Sequence, residues 1–336
     1  NIFIYLYITF HITHTEANSL LEECINKLDK NEAVHFVRRF GHSYPSVQAK
    51  IYIFLGNVNR RQLQYEYYMN ALENAKRIVN DDYLKMLLTA RAYIGLGRIA
   101  TGEIRDEQRV AYLKHAIKLA HEIFHMALKI ESHKSNFDKE KDRRQYYMEQ
   151  QERFHYLICQ ANIQLGNCHL TRGEGVPYFD EAVQYGDFFT NNKTFQTFVA
   201  EAYIGKGNSG RTFDNRLRDK IRRTEDQRSL EEYYRQSNKI RERRAFNYRL
   251  AEFIALSIKK DKLVKKAQKG LSNIGFKRNR GSIEDFQREL EYLSKKQRGT
   301  GGENDTTIVV DLCEGLGVVH GLQQARGGGG GGGRSR

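Results

Sequence analysis

The 336-residue sequence contains no tryptophan, only two prolines (Pro45 and Pro177) and only four cysteines. So little proline removes the commonest helix breaker and suits long helices with a narrow buried stripe. The cysteines, Cys24, Cys159, Cys168 and Cys313, stand far apart with no CxxC pair, which points away from a disulfide scaffold and toward a reduced, intracellular chain. Hydrophobic residues make up 40% of the chain, on the low side for a globular core. Long apolar runs are absent too. The stretch from Ile2 to Ile12 is apolar but falls short of the ~20 residues a membrane helix needs. It has no basic flank of the kind a signal peptide carries, and reads as a truncated start. There is no Ser/His/Asp or Cys/His nucleophile constellation and no glycine-rich loop to cradle a phosphate. No strand motif with interleaved aromatics supports sequence-specific RNA readout.

What the chain does have is basic charge in one region. Residues 211–300 hold 26 lysines and arginines against 13 acidic residues, so +13 of the formal +14 lies there. A one-sign segment suits an acidic partner, whether nucleic acid, a phosphate-rich surface or an acidic peptide. The same charges, mixed as in Arg241-Glu242-Arg243-Arg244, also describe a solvated helical face.

The second feature is a recurring aliphatic–glycine step: Leu55-Gly56, Ile94-Gly95, Leu165-Gly166 and Ile204-Gly205. The glycines within each pair are 39 residues apart, and 71 residues separate Gly95 from Gly166. A helical stretch precedes each glycine. Apolar residues at helical spacing follow three of them: Tyr68, Leu72 and Ala75; Leu113, Ala116 and Ala120; Phe179, Ala182 and Val183. A mid-helix glycine costs about 1 kcal/mol against alanine, so a neighbouring helix must gain from the missing side chain. The expectation is an all-α stack of helix pairs.

Further along, Pro177 marks a helix start, and 131–150 reads as a polar helical arm or insert. Asp261 to Ile274 forms a helix with Leu263, Val264, Ala267 and Leu271 inward and Gly275 as its C-cap. Ser282 opens another helix, and Thr306 to Gly317 a last element. The organisation expected is an apolar start over 1–16, helical repeats over 17–210, basic degenerate repeats over 211–297, and a flexible tail with a glycine run over 298–336.

Three motifs invite chemistry. His121-Glu122-Ile123-Phe124-His125 has the HExxH spacing, which on a helix sets two imidazoles on one face with a glutamate beside them, as in zinc proteases. Glu131 stands where the long form has its third histidine, and the flanking Ala120 and Ala127 fit an inward stripe, so the expectation is a structural helix. Val310 to Gly317 (VDLCEGLG) resembles the first motif of S-adenosylmethionine-dependent methyltransferases, but only 19 residues rich in glycine follow, too few for that fold. Cys159 and Cys168, with His155 and His169 nearby, suit buried thiols better than a metal site. No catalytic activity, metal or cofactor is expected.

The glycine steps with their spaced alanines resemble the tetratricopeptide repeat over roughly 40–210, without that family's tryptophan and closing prolines and with a longer period. The resemblance implies an α–α superhelical solenoid whose first helices line a concave groove. Carried onto this sequence, the groove positions are Lys50, Asn57 and Arg60; Gln160, Asn167 and Leu170; and Lys206. Their long polar side chains imply a peptide or partner helix as ligand. Tyr65 to Ile94, Leu165 through Phe179 to Gly205, Leu250 to Gly275 and Ile308 to Gly317 are further similar to the repeat region of Tonsoku-like proteins. That similarity implies a nuclear scaffold in replication-coupled DNA repair, binding a large helical partner. The family's ankyrin histone reader has no counterpart in these residues. The alternatives are a cytoplasmic adaptor that binds an acidic peptide, nucleic acid held by 211–300, and, remotely, the HExxH protease.

Overall fold

The computed structural model describes residues 45–58, 62–79, 81–99, 105–133 and 140–275. Every regular element among them is helical: α1 (Pro45–Val58), α2 (Gln62–Lys76), α3 (Asp82–Gly97), α4 (Asp106–His133), α5 (Glu140–Cys168), α6 (Val176–Gly186), α7 (Lys193–Arg223), α8 (Gln227–Ser257) and α9 (Asp261–Asn273), with two single 3-10 turns at Leu170–Arg172 and Asp187–Phe189. The chain divides into two compact units, 1–150 and 151–336, with the cut inside α5. Within each, helices pack on their neighbours in sequence. The segments 1–16 and 298–336, Arg60, and the elements expected from Ser282 and Thr306 lie outside the described residues.

Helix starts follow local chemistry. Asp81, Asn192 and Asp226 cap α3, α7 and α8 by accepting from the backbone N–H of Leu84, Thr194 and Ser229 at 2.8–2.9 Å. The bonds from Ser229 hold the exposed Asp226 carboxyl below its usual range. Pro177 sits in the first turn of α6. Gly275 follows α9 at φ +81°, the left-handed turn that glycine takes without strain.

The glycines explain how the helices meet. Gly56 of α1 and Gly95 of α3 both face the ring of Tyr68 on α2, and Gly166 of α5 and Gly205 of α7 both face Phe179 on α6. Gly207 of α7 and Gly270 of α9 enclose Tyr248 on α8 in the same way. Each ring is essentially buried, at 2%, 0% and 1% exposure. The helices in the middle therefore carry a pair of glycines two residues apart, Gly95 and Gly97 in α3 and Gly205 and Gly207 in α7. The first takes the ring of the preceding helix. The second takes the side chain of the following one, Leu113 against Gly97 and Tyr248 against Gly207.

A polar contact repeats with the apolar one. Four residues before Tyr68, Leu113 and Tyr248 stand Gln64, Arg109 and Arg244. Each donates to the carbonyl of the facing glycine: Gln64 to Gly56 at 3.1 Å, Arg109 to Gly97 at 3.3 Å and Arg244 to Gly207 at 3.0 Å. Before Phe179 the equivalent position is Gly175, and a Cβ there would lie 2.5 Å from the Gly166 oxygen.

The boundary expected at 210/211 falls inside α7, so the change of charge there is a change of surface on one continuous helix. Beyond the glycines, α7 and α8 run on as a long hairpin, 31 residues each. Its two helices are tied by Asp214, 1% exposed. Asp214 accepts from Ser237 at 2.8 Å and from Arg244 at 3.2 Å, with Arg218 at 3.1 Å and Arg241 at 3.6 Å. A carboxylate this deep is tolerated because every partner is a donor.

Candidate interaction groove

The three helices α5, α7 and α9 of the second unit line a groove of about 460 Å3. From α5 come Ile163, Gln164 and Asn167; from α7, Glu201, Ile204, Asn208 and Arg211; from α9, Leu263, Lys266, Lys269 and Asn273. The floor is aliphatic, with Ile163, Ile204 and Leu263 buried, while the rim is polar and exposed at Asn167, Asn208, Arg211, Lys266, Lys269 and Asn273. Three cations face one carboxylate, and each helix supplies one asparagine. The surface around it is basic as well, since the remaining outward lysines of α9, Lys262 and Lys265, are exposed.

The glycine–ring packing sets this geometry. In α5 the lining residues stand three and two before Gly166 and one after it, and α7 repeats those offsets around Gly207 with Ile204, Gly205 and Asn208. Around α7 the lining side chains recur at three- and four-residue steps, one face of a helix.

Of the residues singled out by sequence, Asn167 lines the groove. Lys206 belongs to the opposite side of α7: its ammonium pairs with Asp180 of α6 at 2.8 Å and lies over the Tyr203 ring, and the side chain is 5% exposed. Gln160 is half-buried and donates to the Tyr156 hydroxyl at 2.9 Å within α5. Leu170 is half-buried against the core. In the first unit, Lys50 is buried and Asn57 exposed; the Asn57 oxygen accepts from the Tyr68 hydroxyl at 2.9 Å and from Arg98 at 3.5 Å. The residues missed by sequence are Asn208, Arg211, Lys266, Lys269 and Asn273. The signal for α7 was its second glycine: Asn208 follows Gly207 as Asn167 follows Gly166, whereas counting from Gly205 lands on Lys206.

The HExxH and Cys/His motifs resolve into surface and core, and Val310 to Gly317 lies outside the described residues. His121, Glu122 and His125 are exposed on α4, with Glu122 3.7 Å from Lys118, while Ala120, Ile123 and Ala127 face inward. Among the described residues no group of three His, Cys, Asp or Glu side chains converges as a metal site would need. Cys159 is buried and donates to the Ala182 carbonyl at 3.4 Å; burial pushes its thiol far up from the ordinary range. His155 is buried among Phe154, Tyr185, Phe188 and Phe189 with Nδ1 2.9 Å from the Tyr185 carbonyl. Burial holds its imidazole below the usual value, so it is the neutral, Nδ1-protonated form that donates there. No helix among the described residues is long and apolar enough to cross a membrane. A scan against protein-family models and a search of curated proteins each return no match.

Proposed function

We propose that the chain is a non-catalytic protein-interaction scaffold, a solenoid of tetratricopeptide-like repeats, and that the groove of its second unit takes an acidic peptide in extended form. The observation that carries this is the lining of the groove: three asparagines, one from each helix, beside Arg211, Lys266 and Lys269 over an aliphatic floor. Main-chain carbonyls and side-chain carboxylates of a peptide match such donors, and charge-assisted bonds of this kind are about twice as strong as neutral ones. Apolar side chains of the same peptide would cover Ile163, Ile204 and Leu263. On the α7–α8 hairpin Asp214 pairs with Arg218 and Arg244, and Glu232 with Arg235, which lowers the charge this stretch offers to nucleic acid.

Calorimetric titration of the full chain with acidic, neutral and basic peptides of one length tests the reading. Saturable binding of the acidic peptide alone, weakening with salt, is the expected result. Equal heats for all three, or preference for an oligonucleotide, overturn it. For the biological setting we carry forward the Tonsoku-like resemblance, a nuclear scaffold in replication-coupled repair, with a cytoplasmic adaptor as the alternative assignment. The proteins that co-purify with the tagged chain from replicating cells decide between them. Replication-fork and histone-chaperone components favour the first; chaperones, motors or cortical proteins favour the second.

A further inference from the structure

We propose that Tyr248 fixes the polarity of this groove. By donating to Asn208 Oδ1 it turns the amide nitrogen of Asn208 to the ligand, so that this wall presents donors and selects a ligand by its carboxylates and carbonyls. The inference rests on the groove reading above and adds the residue that sets its specificity.

The ring of Tyr248 has no freedom. It is 1% exposed and lies between Gly207 and Gly270, so close that a Cβ on Gly207 would stand 2.6 Å from Cε1. Its hydroxyl is thereby placed 2.9 Å from Asn208 Oδ1. A carboxamide oxygen only accepts, so the hydroxyl must donate. Arg244, one turn before Tyr248 on α8, carries only donors and can offer that hydroxyl no acceptor, which leaves Asn208 as the acceptor for the phenolic proton. Arg244 is itself held by the Gly207 carbonyl and by Asp214. The chain of donors therefore ends at the exposed Asn208, whose two amide N–H groups remain for the groove beside Arg211, Lys266 and Lys269.

The neighbouring position gives an internal comparison. Asn167 bears the same relation to Gly166 as Asn208 does to Gly207, but the ring there is Phe179, which has no hydroxyl. Nothing from the ring fixes which way the Asn167 amide faces. Asn208 is thus set as a donor, while Asn167 adapts to the ligand.

The test is a double-mutant cycle on the full chain, read by anisotropy with a fluorescein-labelled nonapeptide of alternating glutamate and alanine, and by thermal unfolding. Tyr248→Phe keeps the ring and frees the Asn208 amide to turn its oxygen outward. It should weaken peptide binding about five- to tenfold, one hydrogen bond's worth. In an Asn208→Ala background the same substitution should change nothing, because its effect passes through that amide. Phe179→Tyr supplies the missing hydroxyl and should tighten binding by making Asn167 a fixed donor. That second variant decides the matter if Tyr248→Phe fails to fold. Equal binding by wild type and Tyr248→Phe, with Asn208→Ala impaired, overturns the polarity and leaves the groove standing. An undiminished effect of Tyr248→Phe in the Asn208→Ala background also overturns it, since the tyrosine then acts only through the fold. Binding untouched by both Asn208→Ala and Lys266→Glu overturns the groove reading itself.

Discussion

Gly166→Ala separates two accounts of the recurring glycines by sign. Were Gly166 an ordinary helical glycine, alanine would stabilise the chain by about 1 kcal/mol through helix propensity. The packing says otherwise. The new Cβ would lie 2.6 Å from Cε1 and Cζ of Phe179, well inside van der Waals contact. The ring is fully buried and cannot retreat, because Gly205 closes on its other side. Overpacking a rigid site costs about 1–3 kcal/mol and more where nothing yields. After the propensity gain, a net loss of up to about 2 kcal/mol is expected. Phe179→Leu leaves room, so in that background Gly166→Ala should cost little or become favourable, a coupling of about 1–2 kcal/mol between the two sites. Urea unfolding of the four proteins measures both quantities. Stabilisation by Gly166→Ala alone, or additive effects in the double variant, would refute the ring-between-glycines account.

Asp214→Ala leaves Arg244 buried without its counter-charge and should cost about 3–5 kcal/mol in urea unfolding, far more than Glu232→Ala on the exposed face of the hairpin. His155 is buried neutral, so the unfolded chain takes up a proton that the native chain refuses. Stability should then be full above pH 6.5 and fall as the pH drops below it, and His155→Leu should remove that part of the slope in unfolding curves at several pH values. Cys159 should react with a soluble maleimide no faster than the chain opens, because its thiol is both buried and held protonated; rapid labelling of native protein would contradict its placement.

Much of the fold was legible because helix periodicity and glycine placement are local signals. The Leu55-Gly56 and Ile204-Gly205 steps announced close helix contacts, and Leu263, Val264, Ala267 and Leu271 are indeed the buried side of α9. What the spacing hid was that a glycine can serve either of two neighbours. Gly205 and Gly207 are two residues apart on one helix and accept rings from opposite sides, and only the three-dimensional packing separates them. That ambiguity moved the groove count by two residues and selected Lys206, which pairs with Asp180, in place of Asn208. No aliphatic residue precedes Gly270, so the sequence pattern does not join Lys266, Lys269 and Asn273 into one wall with Asn167. The buried Asp214 was equally hidden. In sequence it is one acid in a basic stretch, and its partners Ser237 and Arg244 lie 23 and 30 residues away.

The central claim is that three helices build one binding surface, and it is tested most directly by one substitution per helix. Asn167→Asp on α5, Arg211→Glu on α7 and Lys269→Glu on α9 each replace a donor or cation with an acceptor at an exposed position. Titrated with the glutamate–alanine peptide, all three should weaken binding at least tenfold while the unfolding midpoints stay within a few degrees of wild type. Binding that survives any two of these changes would mean that the peptide does not lie across α5, α7 and α9, and the groove would lose its claim to be the functional site.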